Sequence, residues 1–446
     1  MVRDKKFLET ISLFCLDRAK SMGATDCEVV VSNSLSESVS LRNKQIDHSE
    51  SSNNLSVAIT TYINKKKSNV SSSNTNEPDL IKLIERSIEM TKVTPDDPHS
   101  SMPDKNKLLK NDIFLNLFDE TIISTEKKID FLNEMEEEAF KNKKIINSNG
   151  CSFTESKSNF ILSNSVGFSK GYKTSIFSAG CAVVAESQGS METDYEFSTK
   201  RFSQKLLSSK EIGSAAALRA SRRLGAKKIN STKLPVIFDR RVAKGLLSSF
   251  VSAISGSAFS RGTTFLKDKF EKKIFPEEIN IIDDPLIEMG LGSQPFDSEG
   301  VECKKIFIVE NGKLKNLLLD TYHSNILKME SNGRSGGTTN LYFKNGKEEL
   351  SKIISSQKKA LLVTDLIGRG SDTITGDYSV GASGFLIESG EITYPVNEIT
   401  IAGNLLNMYE NLTLANDLEF VYATNSPSIL INEMTSAGLL YRLTAR

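Results

Sequence analysis

The sequence predicts an α+β protein, with an N-terminal half built from two helix/β-meander/helix units and a strand-rich C-terminal domain carrying a few packed helices. Three observations predict it. Segments with apolar residues at helical spacing alternate with segments whose apolar residues fall at every second position. The order helix, meander, helix occurs twice before residue 230. Beyond Leu234, short strands joined by tight glycine turns dominate.

The periodicity predicts a first helix over 7–22, followed by alternating runs from Asp26, CEVVVSNSLSESVSLRNKQIDHSE and NLSVAITTYINKKKSNVSSS, read as meander strands. Glu77-Pro78 opens a second helix, LIKLIERSIEMTKV. TPDDPHSSMPDKNK then concentrates proline, aspartate and serine, as an exposed connection does. The same order returns with a helix over TEKKIDFLNEMEEEAFKNK, strands from Ile145 with a turn at Asn149-Gly150, and a helix over SSKEIGSAAALRASRRLGA. PVIFDRRVAKGLLSSFVSAI reads as strand then helix, and a further helix is expected near 347–359. Turns are expected at Asn311-Gly312 and Ser389-Gly390. The divisions are 1–95 for the first unit, 96–110 for the linker, 111–229 for the second unit and 230–446 for the C-terminal domain.

The chain of 446 residues is long enough for several cores that need no staples. Its 56 basic and 56 acidic residues cancel, which removes the broad positive field expected of a nucleic-acid binder. The five cysteines, Cys15, Cys27, Cys151, Cys181 and Cys303, are scattered without a C-x-x-C pair, so no disulfide framework or zinc ribbon is indicated and a reducing compartment fits. The start is amphipathic, unlike a secretory signal, and no stretch reaches the roughly 20 apolar residues of a membrane span. A cytoplasmic protein with no membrane and no nucleic-acid partner is expected.

His48, His99 and His323 sit far apart, without ligand spacing. The glycine clusters 290–300, 331–340 and 366–384 lack the Lys-Ser/Thr of a P-loop and do not open a long helix, so they read as turns or as places where another backbone approaches closely. Ser248, Ser255 and Ser379 have no G-x-S-x-G elbow around them. The acids of IIDDPLIEMG and TGDYS read as turn caps rather than as paired acid–base carboxylates.

The stretch GLLSSFVSAISGSAFSRG, 245–262, has the outline of a metalloprotease helix: Val242, Leu246, Leu247, Phe250, Val251 and Ile254 make one greasy face, and Ser248, Ser252 and Ser255 a small polar one. It carries no His or Glu where a zinc helix needs them. Together with IIDDPLIEMGLGSQPFDSEG, VTDLIGRGSDTITGDYSVGASGFLIESGEITYPVNEITIAGNL and NDLEFVYATNSPSILINEM, it resembles the PmbA/TldE branch of the TldD/PmbA family, described as modulators of DNA gyrase and as a two-protein zinc protease.

In the zinc-bearing sister, TldD, the resemblance places His-Glu-x-x-x-His on this helix and a cysteine nearer the C-terminus. Laid on this chain, the ligand positions fall near Leu247–Ser249 and Ser252–Ala253, which cannot bind zinc, and the last cysteine is Cys303. Ligands five residues apart diverge by roughly 140° on a regular helix, so the sister's helix must be distorted where this one need not be. The resemblance therefore implies a subunit that is inactive alone, without catalytic residues, metal ligands or a cofactor of its own. Zinc is expected in a TldD-like partner, and unfolded or extended peptides are the expected substrates, including leader segments and an antitoxin. The glycine-flanked strands around 375–385 are expected to offer a peptide an edge for strand addition, with Thr375, Gly376, Asp377, Tyr378, Gly381 and Gly384 as binding residues. The competing readings are a non-proteolytic adaptor for a topoisomerase or toxin–antitoxin component, and an independent peptidase with an unrecognised ligand set. Exposed apolar strand edges favour a homodimer when the chain is alone.

Overall fold

The fold is given by a computed structural model that describes residues 2–368 and 370–438. The N-terminal half runs α1 (Lys5–Ser21), β1 (Asp26–Arg42), β2 (Gln45–Ile63), β3 (Lys66–Ser72), α2 (Glu77–Val93), α3 (Thr125–Phe140), β4 (Ile145–Asn164), β5 (Ser169–Lys170), β6 (Lys173–Ser187), β7 (Ser190–Lys200) and α4 (Ser209–Arg222). Each helix begins where a polar side chain takes up an orphan amide. Asp4 accepts from Phe7 N at 2.8 Å, Asn76 from Asp79 N at 3.1 Å, and Ser208 with Glu211 forms a capping box.

The helix–meander–helix order is present twice, and the strands of both repeats belong to one sheet, in the order β3-β2-β1-β4-β6-β7 with β5 on β4. The seam is β1 against β4, paired from Glu28↔Asn164 to Leu41↔Cys151. Strand periodicity then sorts the faces. Cys27, Val29 and Val31 meet α1 and α2, and Val39 and Leu41 meet α3 and α4, so all four helices cover one face. Val30, Phe160 and Leu162 face the other way and pack with Phe168, Leu108, Leu109 and Phe296, which bind the sheet to the C-terminal half.

The C-terminal half comprises β8 (Thr232–Phe238), α5 (Arg240–Ala253), α6 (Gly256–Ser260), β9 (Ile281–Asp283), β10 (Ile306–Glu310), β11 (Lys313–Leu314), α7 (Thr321–Leu327), β12 (Leu341–Phe343), α8 (Leu350–Ser355), β13 (Lys359–Ile367), β14 (Asp377–Glu388), β15 (Glu391–Asn404), α9 (Leu405–Glu410), β16 (Leu412–Leu414), β17 (Thr424–Asn425) and β18 (Ile429–Gly438). One sheet runs β15-β14-β13-β8-β18-β16, and a further β15–β18 pairing closes its first five strands into a ring. A second sheet runs β11-β10-β9-β12-β17. α5 sits in the core shared by both sheets.

Four local expectations meet different outcomes. Asn311-Gly312 and Ser389-Gly390 adopt the positive φ pairs of two-residue turns, 48° and 74° and then 52° and 82°. Asn149-Gly150 does not turn the chain: β4 continues through it with a register shift, because Gly150, at φ 114°, absorbs a bulge between partners distant in sequence. The helix near 347–359 shrinks to α8, as Lys359 onward is recruited into β13 beside β8. Among the described residues no helix is long and apolar enough to cross a membrane.

Candidate functional site

α5 starts at Asp239, whose carboxylate accepts the Arg241 amide at 2.9 Å. Ala243, Leu246, Leu247, Phe250 and Ala253 are buried, and the Tyr409 hydroxyl donates to the Leu246 carbonyl at 2.9 Å, fixing the helix in the core. The opposite stripe holds Lys244, Ser248, Ser249 and Ser252. The serine hydroxyls donate back to carbonyls one turn earlier, Ser248 to Lys244, Ser249 to Gly245 and Ser252 to Ser248, at 3.3, 3.2 and 3.1 Å.

The helix is regular over its length, and this decides whether a zinc ligand pair five residues apart fits. Either register, 247 with 252 or 248 with 253, aims one position into the apolar core, since Leu247 and Ala253 are both at 0% exposure. Cys303 is buried too, its thiol donating to the Gly333 carbonyl at 3.1 Å and pushed up to about 12 by burial. Among the described residues no three His, Cys, Asp or Glu side chains gather as a metal would need. The residues present do not fit a zinc ion.

The six residues expected to grip a peptide lie on β14 and on the segment leading into it. The segment 370–376 joins β13 to β14, and the Ser249 hydroxyl meets that of Ser371 at 3.0 Å. Thr375 and Asp377 are exposed and bonded to one another, Thr375 Oγ1 donating to Asp377 Oδ2 at 2.9 Å. The Gly376 carbonyl accepts from Leu405 N at 2.6 Å, and the Tyr378 ring is buried near Phe238. Gly381 and Gly384 lie in a strand with neighbours on both sides, β13 and β15. Where β13 ends, segment 370–372 takes over the same edge, Ser379 N donating to the Gly370 carbonyl at 2.6 Å.

The strand-addition expectation for β14 is therefore corrected: it has no free edge along Thr375–Phe385. Small residues do admit a second backbone there, but it is the chain's own. A Cβ on Gly384 would overlap the Leu362 carbonyl of β13, and one on Gly381 would sit 3.3 Å from that of Ile367.

A cavity of about 340 Å³ opens at the N-terminal end of α5, between β7, α4 and segment 419–426. Five arginines line it, Arg219, Arg222, Arg223, Arg240 and Arg241. Arg241 pairs with Asp194 at 3.0 Å, Arg219 with Glu196 at 2.5 Å, Arg223 with Asp365 at 3.2 Å, and Arg240 with Glu419. Lys244 stands 3.0 Å from the Tyr422 ring centroid, and burial together with the Arg241 charge pushes its ammonium down to about 8. A second cavity, also about 340 Å³, continues past Tyr422 toward Lys200 and Arg201. Sequence reasoning missed this cluster. Its visible traces were Arg222-Arg223 and Arg240-Arg241, and only the packing of α4 against β7 beside α5 brings the two pairs together.

Fold and sequence together place the chain in the class of metallopeptidase-related proteins. Family models describe the three parts of the chain as the PmbA/TldA metallopeptidase domain 1 over 27–91, central domain over 118–224 and C-terminal domain over 231–438. This chain belongs to the PmbA/TldD metallopeptidase family. It is 35% identical to the metalloprotease PmbA of Escherichia coli O157:H7 and 36% identical to a PmbA homolog of Haemophilus influenzae, covering 97% and 95% of both chains in each comparison. A Bacteroides thetaiotaomicron protein crystallised under the name of a DNA gyrase modulator superposes with a TM-score of 0.91 at 26% identity, over 97% of this chain and 99% of that one. TldE from Thermococcus kodakarensis shares the fold, with a TM-score of 0.80 at 23% identity over 96% and 99%.

Proposed function

We propose that this chain is the metal-free, structure-completing subunit of a two-chain cytoplasmic zinc peptidase acting on unfolded or extended peptides. The zinc and the general base belong to a TldD-like partner. The observation that carries the reading is the serine face of α5: the helix stands where the family's zinc helix stands by resemblance, its hydroxyls are spent on its own carbonyls, and either ligand register aims one position into the core. A relative called a TldD homolog, from Buchnera aphidicola, aligns over 52% of this chain at 29% identity, in keeping with a partner of related build. The exposed pair Thr375/Asp377, on the stretch that continues from Ser371, is assigned to the peptide-facing wall.

Co-expression with a TldD-like chain tests this. A stable one-to-one complex holding zinc only through the partner supports it. A chain that purifies with stoichiometric zinc of its own, or never associates with the partner, sinks it.

A further inference from the structure

β7 is the last strand of the large sheet, and among the described residues no strand lies beyond it. A bare edge of this kind presents unpaired amides and carbonyls. Here side chains satisfy them. The Tyr195 amide donates to Asp194 Oδ1 at 2.7 Å, and the Phe197 amide to Glu196 Oε1 at 2.8 Å. The Tyr195 carbonyl accepts from Arg219 Nη1 and Arg241 Nη2, both at 3.2 Å. The same two carboxylates are the ones ion-paired to Arg241 and Arg219. The edge is thus closed by a carboxylate–arginine latch facing the cavity, and the free edge sought at β14 is found in this latched form at β7.

We propose that this cavity is a docking site for an extended acidic peptide segment, which adds to the edge of β7 and places its own carboxylates on Arg219 and Arg241. The exchange is like for like. Guest carbonyls take the Tyr195 and Phe197 amides, a guest amide takes the Tyr195 carbonyl, and no arginine is left without an anion, so the main cost is turning aside Glu196 and the buried Asp194, which keeps Arg223 as a counterion at 3.5 Å.

Two features favour an anionic guest over a neutral one. Arg222 lines the cavity over the Phe385 ring, 5.3 Å from its centroid, with no ion pair among the described residues. Lys244 stands over the ring of the cavity residue Tyr422, also with no ion pair among the described residues. Phe197 and Tyr422, with ring centroids 5.5 Å apart, give the guest's alternate side chains an apolar wall. The choice of a peptide rather than another carboxylate rests on the peptidase reading.

The test uses the full-length chain alone, with fluorescence anisotropy of a short labelled peptide alternating glutamate and valine. Its glutamine counterpart, and a version with prolines that removes alternate amides, should each bind about tenfold more weakly or worse. Arg222→Glu should weaken the acidic peptide by a similar factor without lowering the melting temperature, and Arg222→Gln replaces it should that variant melt early. Inorganic phosphate should compete no better than chloride at equal ionic strength. Equal binding of the glutamate and glutamine peptides, indifference to proline, or saturable displacement by phosphate would each overturn the proposal. Partner-dependent hydrolysis that survives any of these results leaves the subunit reading standing, whereas peptide binding without any partner leaves only this one.

Discussion

Ser249 and Ser371 meet hydroxyl to hydroxyl at 3.0 Å, tying the polar face of α5 to the segment that leads into β14. Under the proposed subunit reading, the corresponding face of the partner would present the metal ligands. Here this face serves as a tether, and the same residue also donates to Gly245 one turn back. A position that could have belonged to chemistry is spent on holding two elements together.

Grafting the sister's motif should not restore metal binding. Leu247→His, Ser248→Glu and Ser252→His together place one imidazole in the core, because Leu247 is fully buried on a regular helix. The triple variant should lose about 2–5 kcal/mol of stability and gain no stoichiometric zinc, read by denaturant melts and metal analysis. A folded variant with one tightly held zinc would show that α5 bends more readily than its packing implies.

The two glycines of β14 should respond unequally. Gly384→Ala drives a methyl into the Leu362 carbonyl and should cost about 1–3 kcal/mol or more, whereas Gly381→Ala meets Ile367 at 3.3 Å and should cost less. Thermal melts of both variants give the order. The reverse order, or two silent changes, contradicts the account of β13 as the backbone these glycines admit.

Much of this fold was legible because its signals are local. The helix start at Glu77-Pro78, the face of α5 and the twin helix–meander–helix order all follow from residues near one another in the chain. What was illegible is nonlocal. Nothing in the sequence pairs Val31 with Ile161, closes β15 onto β18, or brings Arg223 to Asp365. The glycines of 376–384 signalled close approach correctly in kind but could not say whose backbone approaches. Asp283, read as a turn cap, lies instead in a buried ion pair with Arg334, 51 residues away in the chain.

That pair should be costly to halve. Arg334 and Asp283 are at 2% and 0% exposure, with Asp283 Oδ1 accepting the Thr339 amide at 2.8 Å and Arg334 Nη2 donating to the Lys304 carbonyl at 2.8 Å. Arg334→Met leaves a buried carboxylate without its cation and should cost about 3–5 kcal/mol. Adding Asp283→Leu should recover part of the loss, and a double-mutant cycle in urea measures it. A cost under about 1 kcal/mol for the single change would mean that the pair contributes little.

Stability should fall as pH rises toward neutrality, in part because of Glu28. Burial first, and then the Glu299 charge, raise its carboxyl from 4.5 to about 7. A carboxyl raised in the folded state binds its proton more tightly there than in the unfolded chain. Its contribution is therefore complete below about 4.5 and is lost as pH climbs to about 7. Glu28→Gln should flatten the decline between these limits, gaining on the wild type at pH 8 relative to pH 5 in chemical denaturation. Parallel pH profiles for the two proteins would refute the assignment.

The central claim is that this chain contributes structure, and not the hydrolytic ion, to a peptidase. Peptide hydrolysis by the purified chain, with and without a TldD-like partner and with and without chelator, tests it most directly. The account predicts no turnover by the chain alone and chelator-sensitive turnover once the partner is added; chelator-sensitive cleavage by the isolated chain would contradict it.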